Sequence, residues 1–324
     1  MTDVLNLAKD IINGKQITKY YEHLHIFYDS DLEELIEGAN LIRKFYVGDY
    51  VDLCSILNAK SGKCSEDCKF CAQSVHNKTN IKVYDFLYED EILNAAADSA
   101  KNKVDRFCLV TAGKSLTGEE FERAVKVIEK IKLNYDVKIC ASMGFLEKEQ
   151  LKRIFKAGVT TFHCNIETSK ENFKNICTTH SFEMKVKTIK MVKEIGMRAC
   201  SGGIFGMGET FSDRVNMALI LSELLVDSIP INILIKINGT PFENKKIKFD
   251  EEDLLRTVAM FRYINPKADV RLAAGRKNLT NFGEKALKSG ANSMIAGNML
   301  TTTINSTVFQ DKVMLKEIGR LTKL

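Results

Sequence analysis

From residue 51 onward the chain alternates short apolar and β-branched runs with longer stretches in which apolar residues return every three or four positions. The short runs, at 51–57, 106–111, 138–142, 160–167, 198–203, 228–236, 269–273 and 293–295, predict strands. Between them the segments 119–132, 148–157, 182–195, 213–226 and 251–263 carry the helical period. Gly158, Gly196 and Gly290 follow helical segments, where a left-handed residue closes the last turn. Eight units of strand then helix predict an α/β fold, a parallel (β/α)8 TIM-type barrel. A doubly wound open sheet has no need of so many regular units. With three prolines and no low-complexity linker, residues 49–324 read as one barrel domain with a C-terminal tail. Residues 1–48 read as a helical extension. In it, Ser30 and Glu33 form a capping box, and Leu32, Leu35, Ile36, Ala39 and Ile42 make an apolar face for the barrel bottom or rim.

Composition narrows the function classes. The 324 residues are 45% hydrophobic, enough for a sizeable core, and the net charge of +5 is mild. Basic residues are interspersed with acids, as in Lys126, Glu129, Lys130 and Lys132, which makes solvated helix faces and no nucleic-acid footprint. No apolar run reaches the roughly 18 residues of a membrane span. The first residues have neither a basic nor a continuous apolar stretch, so the expectation is a cytoplasmic protein whose nine cysteines are reduced.

Those cysteines carry the chemistry. Cys64, Cys68 and Cys71 stand at x3 and x2 spacing in Cys-Ser-Glu-Asp-Cys-Lys-Phe-Cys, on the loop after the first strand. That is the end of a barrel where ligands bind. Thiolates select iron–sulfur clusters, zinc or cuprous copper. Three is one fewer than a closed site takes, so a coordination position stays open for a reacting group. A zinc knuckle completed by His76 is the structural alternative, though it lacks a second ligand pair nearby.

Further residues converge on the predicted lumen. Alternation along a strand places Arg106, Cys108 and Val110 on one face, Arg198, Cys200 and Gly202 on another, and Arg271 beside Asp269 and Ala273. Cys140 lies in a third strand. Each cysteine alone reads as a small core residue, but a buried arginine needs an anionic partner. A second cluster of thiolates would supply one. In Thr161-Phe162-His163-Cys164-Asn165-Ile166-Glu167, the residues His163, Asn165 and Glu167 share a side that suits a ligand with hydroxyls. Asn232 and Lys236 share another. Gly202, Gly203, Gly206 and Gly208 break the register of a phosphate-binding loop, and their expected use is close backbone approach to a ligand.

The cysteine loop, with Phe70 before its last cysteine, resembles the signature of the radical S-adenosylmethionine enzymes. Arg106-Phe107-Cys108, Cys200-Ser201-Gly202-Gly203, Gly206-Met207-Gly208-Glu209-Thr210, Pro230-Ile231-Asn232 and the stretch from Val270 to Arg276 resemble, within that superfamily, the biotin synthases. The resemblance spans about residues 50–305 and implies the following roles. Cys64, Cys68 and Cys71 would bind a 4Fe-4S cluster whose open iron takes the amine and carboxylate of S-adenosylmethionine. Phe70 and Ile204 would lie by its adenine, with Asn165 and Glu167 on its ribose. Cys108, Cys140, Cys200 and Arg271 would hold a 2Fe-2S cluster, the sulfur donor. Asn232 would meet the ureido ring of the substrate dethiobiotin, and Thr302 and Thr303 its carboxylate. The implied partners are a low-potential electron donor of the flavodoxin or ferredoxin type and a second copy in a homodimer.

The chain departs from the pattern in places. Glu167 stands where many members have Asp, and Cys164 where many have His. Cys54 and Cys177 match no ligand position and read as structural. Two other functions remain in competition: a related radical enzyme of the same barrel with another substrate, such as a hydrogenase-maturase-like or pyrrolysine-synthesis-like protein, and an electron carrier, which would close its cluster with four thiolates.

Overall fold

The computed structural model describes residues 3–246, 248–297 and 306–323. Nine strands form one parallel sheet: β1 (Asp52–Lys60), β2 (Arg106–Thr111), β3 (Lys138–Ser142), β4 (Val159–His163), β5 (Arg198–Cys200), β6 (Gly203–Phe205), β7 (Ser228–Ile233), β8 (Asp269–Leu272) and β9 (Ser293–Ile295). Their order is β5-β4-β3-β2-β1-β9-β8-β7-β6, and the pairing of Cys200 in β5 with Ser228 in β7 closes the sheet on itself. β5 and β6 are two halves of one stave, so the barrel has the eight positions the sequence predicts.

Helices α1 (Asp3–Ile12), α2 (Ile26–Asp29) and α3 (Leu32–Val47) precede the barrel. Around and after it run α4 (Glu89–Lys101), α5 (Gly118–Asn134), α6 (Lys148–Ala157), α7 (Lys170–Ile176), α8 (Phe182–Glu194), α9 (Phe211–Glu223), α10 (Glu251–Ile264), α11 (Glu284–Lys288) and α12 (Val308–Glu317). No helix among the described residues is long and apolar enough to cross a membrane.

The break between β5 and β6 is dictated by close packing. A Cβ on Gly202 would overlap the carbonyl oxygen of Pro230, and one on Gly203 would strike the Glu167 carbonyl. These glycines let strand backbones approach each other, which corrects the expectation that they approach a ligand. Farther along, Glu209 closes the glycine loop by accepting from Gly206 N and Met207 N, both at 2.8 Å. The predicted fourth and sixth strands end early, at His163 and Ile233, and the first runs on to Lys60.

The extension is capped one residue later than predicted. Asp31 Oδ1 accepts from Glu33 N (3.0 Å) and Glu34 N (3.2 Å), while Ser30 closes α2. A carboxylate suits this end better than a hydroxyl because it also meets the positive pole of the helix. Leu35, Ala39 and Ile42 are fully buried, each large side chain worth about 1.5–3 kcal/mol in apolar transfer. They pack against α1 and the outer helix α10, so the extension braces the barrel's flank and leaves its mouth open. Tyr263 of α10 donates to Val4 O at 3.1 Å over Gly38, where any Cβ would displace the phenol.

Candidate active site

Past Lys60 the chain turns into the loop that carries Cys64, Cys68 and Cys71. It is pinned from within: Cys64 N donates to Gln73 O (3.0 Å), and Asn77 Nδ2 donates to the carbonyls of Cys68 (3.2 Å) and Cys71 (2.8 Å). Two carboxylates inside the cysteine spacing dock it outward. Asp67 accepts from Thr178 N (2.8 Å) and Thr179 N (3.1 Å), and Glu66 accepts from His180 Nδ1 (2.6 Å). The three half-buried thiols consequently line one cavity of about 390 Å³. Burial pushes the Cys71 thiol up to about 11. His76, the alternative zinc ligand, is turned away and bonds Ser65 O at 3.1 Å.

On the cavity wall, Phe70 and Ile204 pack, with Leu234 behind the wall, against Ile176, Met207 and Phe242, an apolar slot suited to a flat ring. Beside it, lining the same cavity, stand Asn165 and Glu167. Asn165 Oδ1 accepts from Gly202 N at 3.1 Å, so the break in the fifth stave fixes this amide. Glu167 adopts a left-handed backbone (φ 68°), strained for a residue with a Cβ, and two bonds hold it there: Glu167 N to Gly202 O (3.1 Å) and Ile204 N to Glu167 O (2.8 Å). Its Oε2 is buried without a partner among the described residues. Burial pushes the carboxyl up to about 7, with Lys185 and Asn165 pulling the other way. An orphaned acceptor beside a flat apolar slot fits a nucleoside, with its ribose on Glu167. Asn232 donates to Gly203 O (3.0 Å) and accepts from Ala274 N (3.1 Å), which leaves one donor and one acceptor position for a ligand. Thr302 and Thr303 lie outside the described residues.

Deeper in the barrel, Cys54, Cys108 and Arg271 form the cavity floor. Cys140 packs against Cys54 and Cys108, and Cys200 sits in register with His163. Four thiols therefore enter the lumen, from β1, β2, β3 and β5. Cys54 and Cys140 pull each other in opposite directions. Their mutual hydrogen bond and burial drive Cys54 well up; that bond, with His163 and Arg106, drives Cys140 down against burial. Cys164, whose side chain the alternation turned outward, is buried in the surrounding apolar core. The His163 Nε2 is buried without a partner. Burial opposes charge on this ring, yet Cys108 and Cys200 outweigh it and raise its pKa well above the ordinary value. A soft donor set over an orphaned imidazole nitrogen fits an iron–sulfur group.

The sequence reading missed three residues here. Asp52 bonds both Arg106 and Arg271 beneath the thiols. It was legible as a lone acid between Val51 and Leu53. Cys54, taken as structural, is the fourth lumenal thiol. Lys185 lines an adjoining cavity of about 170 Å³ with Glu66, Cys68, Asn165, Glu167 and His180. Outside the barrel, a wider groove of about 670 Å³ along α8 is lined by residues such as Lys148, Lys187 and Ile220 and holds no thiol or imidazole.

Comparison with known proteins agrees with this geometry. Residues 59–221 match the model of the Radical SAM superfamily, and residues 230–320 that of the Biotin and Thiamin Synthesis associated domain. The biotin synthase of Clostridium beijerinckii is 51% identical over 97% of this chain and 98% of its own length. That of Alkaliphilus metalliredigens is 47% identical over 98% of this chain and 99% of its own. The crystal structure of a methylornithine synthase, 19% identical, superimposes with a TM-score of 0.82 over 98% of this chain and 97% of its own, which shows the common barrel. By its whole-length similarity, the chain belongs to the biotin synthase family of radical S-adenosylmethionine enzymes.

Proposed function

We propose that this cavity converts dethiobiotin to biotin by radical sulfur insertion. The observation that carries the reading is a single cavity bounded at its mouth by Cys64, Cys68 and Cys71 and at its floor by Cys54, Cys108 and Arg271. A substrate lying between the two thiol sets meets both. When bound, the 4Fe-4S cluster and S-adenosylmethionine supply a hydrogen-abstracting radical, and the lumenal 2Fe-2S cluster supplies the sulfur.

The chain's own residues bind, orient and exclude water. Cys64, Cys68 and Cys71 hold the first cluster and leave one iron to S-adenosylmethionine. Phe70 and Ile204 cover the adenine, while Asn165 and the Glu167 carboxylate accept the ribose hydroxyls. Lys185 answers the carboxylate of the methionine end. Asn232 offers its remaining donor and acceptor to the ureido ring. Apolar barrel walls keep water from the reacting carbon.

The second cluster takes Cys108, Cys140 and Cys200, with Arg271 as the fourth donor in the first reading. One observation favours Cys54 instead. Arg271 is already bonded to Asp52 Oδ1 (2.7 Å), Met294 O (3.3 Å) and Ser228 Oγ (3.4 Å), whereas Cys54 offers a thiol to the same space. A flavodoxin- or ferredoxin-type donor, a homodimer and a cytoplasmic setting complete the proposal.

The test is anaerobic reconstitution with iron and sulfide, followed by S-adenosylmethionine, a low-potential reductant and dethiobiotin. Biotin and 5′-deoxyadenosine together by mass spectrometry are the expected result. Deoxyadenosine without biotin, with both clusters intact, overturns the substrate.

A further inference from the structure

Behind the cysteine loop lies a cluster of which the reaction uses only Cys68. The Cys177 thiol, at the C-terminal end of α7, stands 3.8 Å from Cys68 Sγ. His180 Nε2 stands 3.7 Å from Cys177 Sγ, and ligand atoms of all three residues lie within 4.8 Å of one another. We propose that in the cluster-free chain Cys68, Cys177 and His180 bind one soft divalent ion, zinc or ferrous iron, with water in the fourth position.

Two edges fit. Tetrahedral bonds of about 2.3 Å to sulfur and about 2.0 Å to nitrogen place two sulfurs about 3.8 Å apart and a sulfur and nitrogen about 3.5 Å apart. The imidazole has the tautomer of a ligand. Its Nδ1 donates to Glu66 Oε2 at 2.6 Å, which leaves the Nε2 lone pair free for a metal. Cys177 Sγ lies 3.3 Å from Nδ1 and 3.7 Å from Nε2, so metal uptake turns the ring to aim Nε2 at the ion. Glu66 and His180 are themselves buried, and Phe145 and Phe173 flank the ring at 5.1 and 5.6 Å.

Charge also closes. Two thiols give up their protons to solvent on binding, so two thiolates and a dication make a neutral centre, as a buried site requires. The route in is the cavity of about 170 Å³ lined by Cys68, Glu66 and His180. Asp67 accepts from the amides of Thr178 and Thr179 and, at 3.0 Å, from the Cys177 thiol, a bond that is given up when that thiol ionises to bind the metal. Because Cys68 serves both, the ion and the 4Fe-4S cluster exclude each other. That consequence rests on the cluster reading; the ion site does not.

Cobalt(II) titration of the anaerobic, cluster-free full chain tests the site through thiolate-to-cobalt charge transfer. Cys177→Ser and His180→Asn are each expected to lose one equivalent of bound cobalt, while Cys64→Ser and Cys71→Ser keep it. Assembly of the 4Fe-4S cluster in Cys177→Ser shows that the variant folds. Full stoichiometry in both Cys177→Ser and His180→Asn overturns the site, as does loss of that equivalent in Cys64→Ser, which assigns the metal to the cysteine loop alone. X-ray absorption of the wild type at one equivalent gives an independent reading: two sulfurs and one imidazole are expected, and three sulfurs without imidazole overturn it.

Discussion

Arg271 donates from Nη2 to Asp52 Oδ1 at 2.7 Å, and Arg106 Nε reaches both oxygens of the same carboxylate at 2.9 Å. Two buried guanidiniums thus share one acid on the barrel floor. The excess positive charge lies directly under the lumenal thiols, where it favours their ionised forms and an anionic cluster.

Asp52→Asn leaves both guanidiniums without a countercharge. Removing one partner of a buried ionic group costs about 3–5 kcal/mol, so denaturant unfolding of the cluster-free protein should show a loss of that size. Burial alone would raise the Asp52 carboxyl, but Arg271 and Arg106 outweigh it and hold it below its ordinary value. A depressed carboxylate adds stability that is fully present above its unfolded pKa of about 3.9 and is lost as pH falls through the folded value. The Asp52→Asn variant should lack that acid limb. An unchanged midpoint and acid profile would mean that the floor does not depend on this acid.

Cys108→Ala and Cys140→Ala should each remove the second cluster's absorption and leave the first cluster intact, since neither thiol belongs to the cysteine loop. Cys54→Ala identifies the fourth donor. With the thiol as ligand, its second-cluster iron falls to the level of Cys140→Ala, and Arg271→Met retains most of its iron. Iron and sulfide analysis beside Mössbauer spectra separates the variants, and the reverse pattern returns the position to Arg271.

The barrel was legible because its signals are periodic. The apolar runs at 106–111 and 138–142 give the observed strands to the residue and carry two of the four lumenal thiols, and the run from Arg198 carries a third. Cys54 was lost because a single cysteine in an apolar strand looks like core until its neighbours across the lumen are known. The Asp52 partnership was hidden for a similar reason: Arg271 lies 219 residues away. Glu167 is different. Alternation put it on the ligand side, yet β4 ends at His163 and the side chain is aimed by a left-handed backbone that no strand pattern encodes. Backbone crossings such as Gly202 over Pro230 are set by tertiary packing, so the glycines announced a close approach without naming what approaches.

Glu167 should make S-adenosylmethionine binding pH-dependent near neutrality. Burial raises its carboxyl to about 7, and only the ionised form accepts from two ribose hydroxyls. The sign is opposite to that of Asp52. In the free protein the raised pKa removes stability as pH climbs from about 4.3, the ordinary glutamate value, toward 7. The ligand supplies the missing donors, so its dissociation constant should rise by up to about tenfold for each pH unit below 7. Calorimetry on the cluster-loaded protein measures this. Glu167→Gln should bind more weakly at pH 8 with a flat profile, and a wild-type profile flat from pH 6 to 8 would detach the carboxylate from the ribose.

In the proposed function Lys185 would receive the methionine carboxylate. Lys114, which lines the same small cavity, is drawn 3.7 Å from Glu66, and Arg271 is committed to Asp52 on the floor. Burial works against the Lys185 charge, but Cys164, Glu167, Cys68 and Cys177 outweigh it and keep the ammonium protonated. A charge-assisted hydrogen bond contributes about 1.5–3 kcal/mol, so Lys185→Met should raise the KM for S-adenosylmethionine roughly 10- to 100-fold. Lys185→Arg should recover most of that loss. Both cluster spectra should be unchanged in Lys185→Met, because the side chain stands beside the ligand space and touches no iron donor of the lumen. A fall in first-cluster iron with an unchanged KM would instead make Lys185 a support for the Cys68 side of the loop.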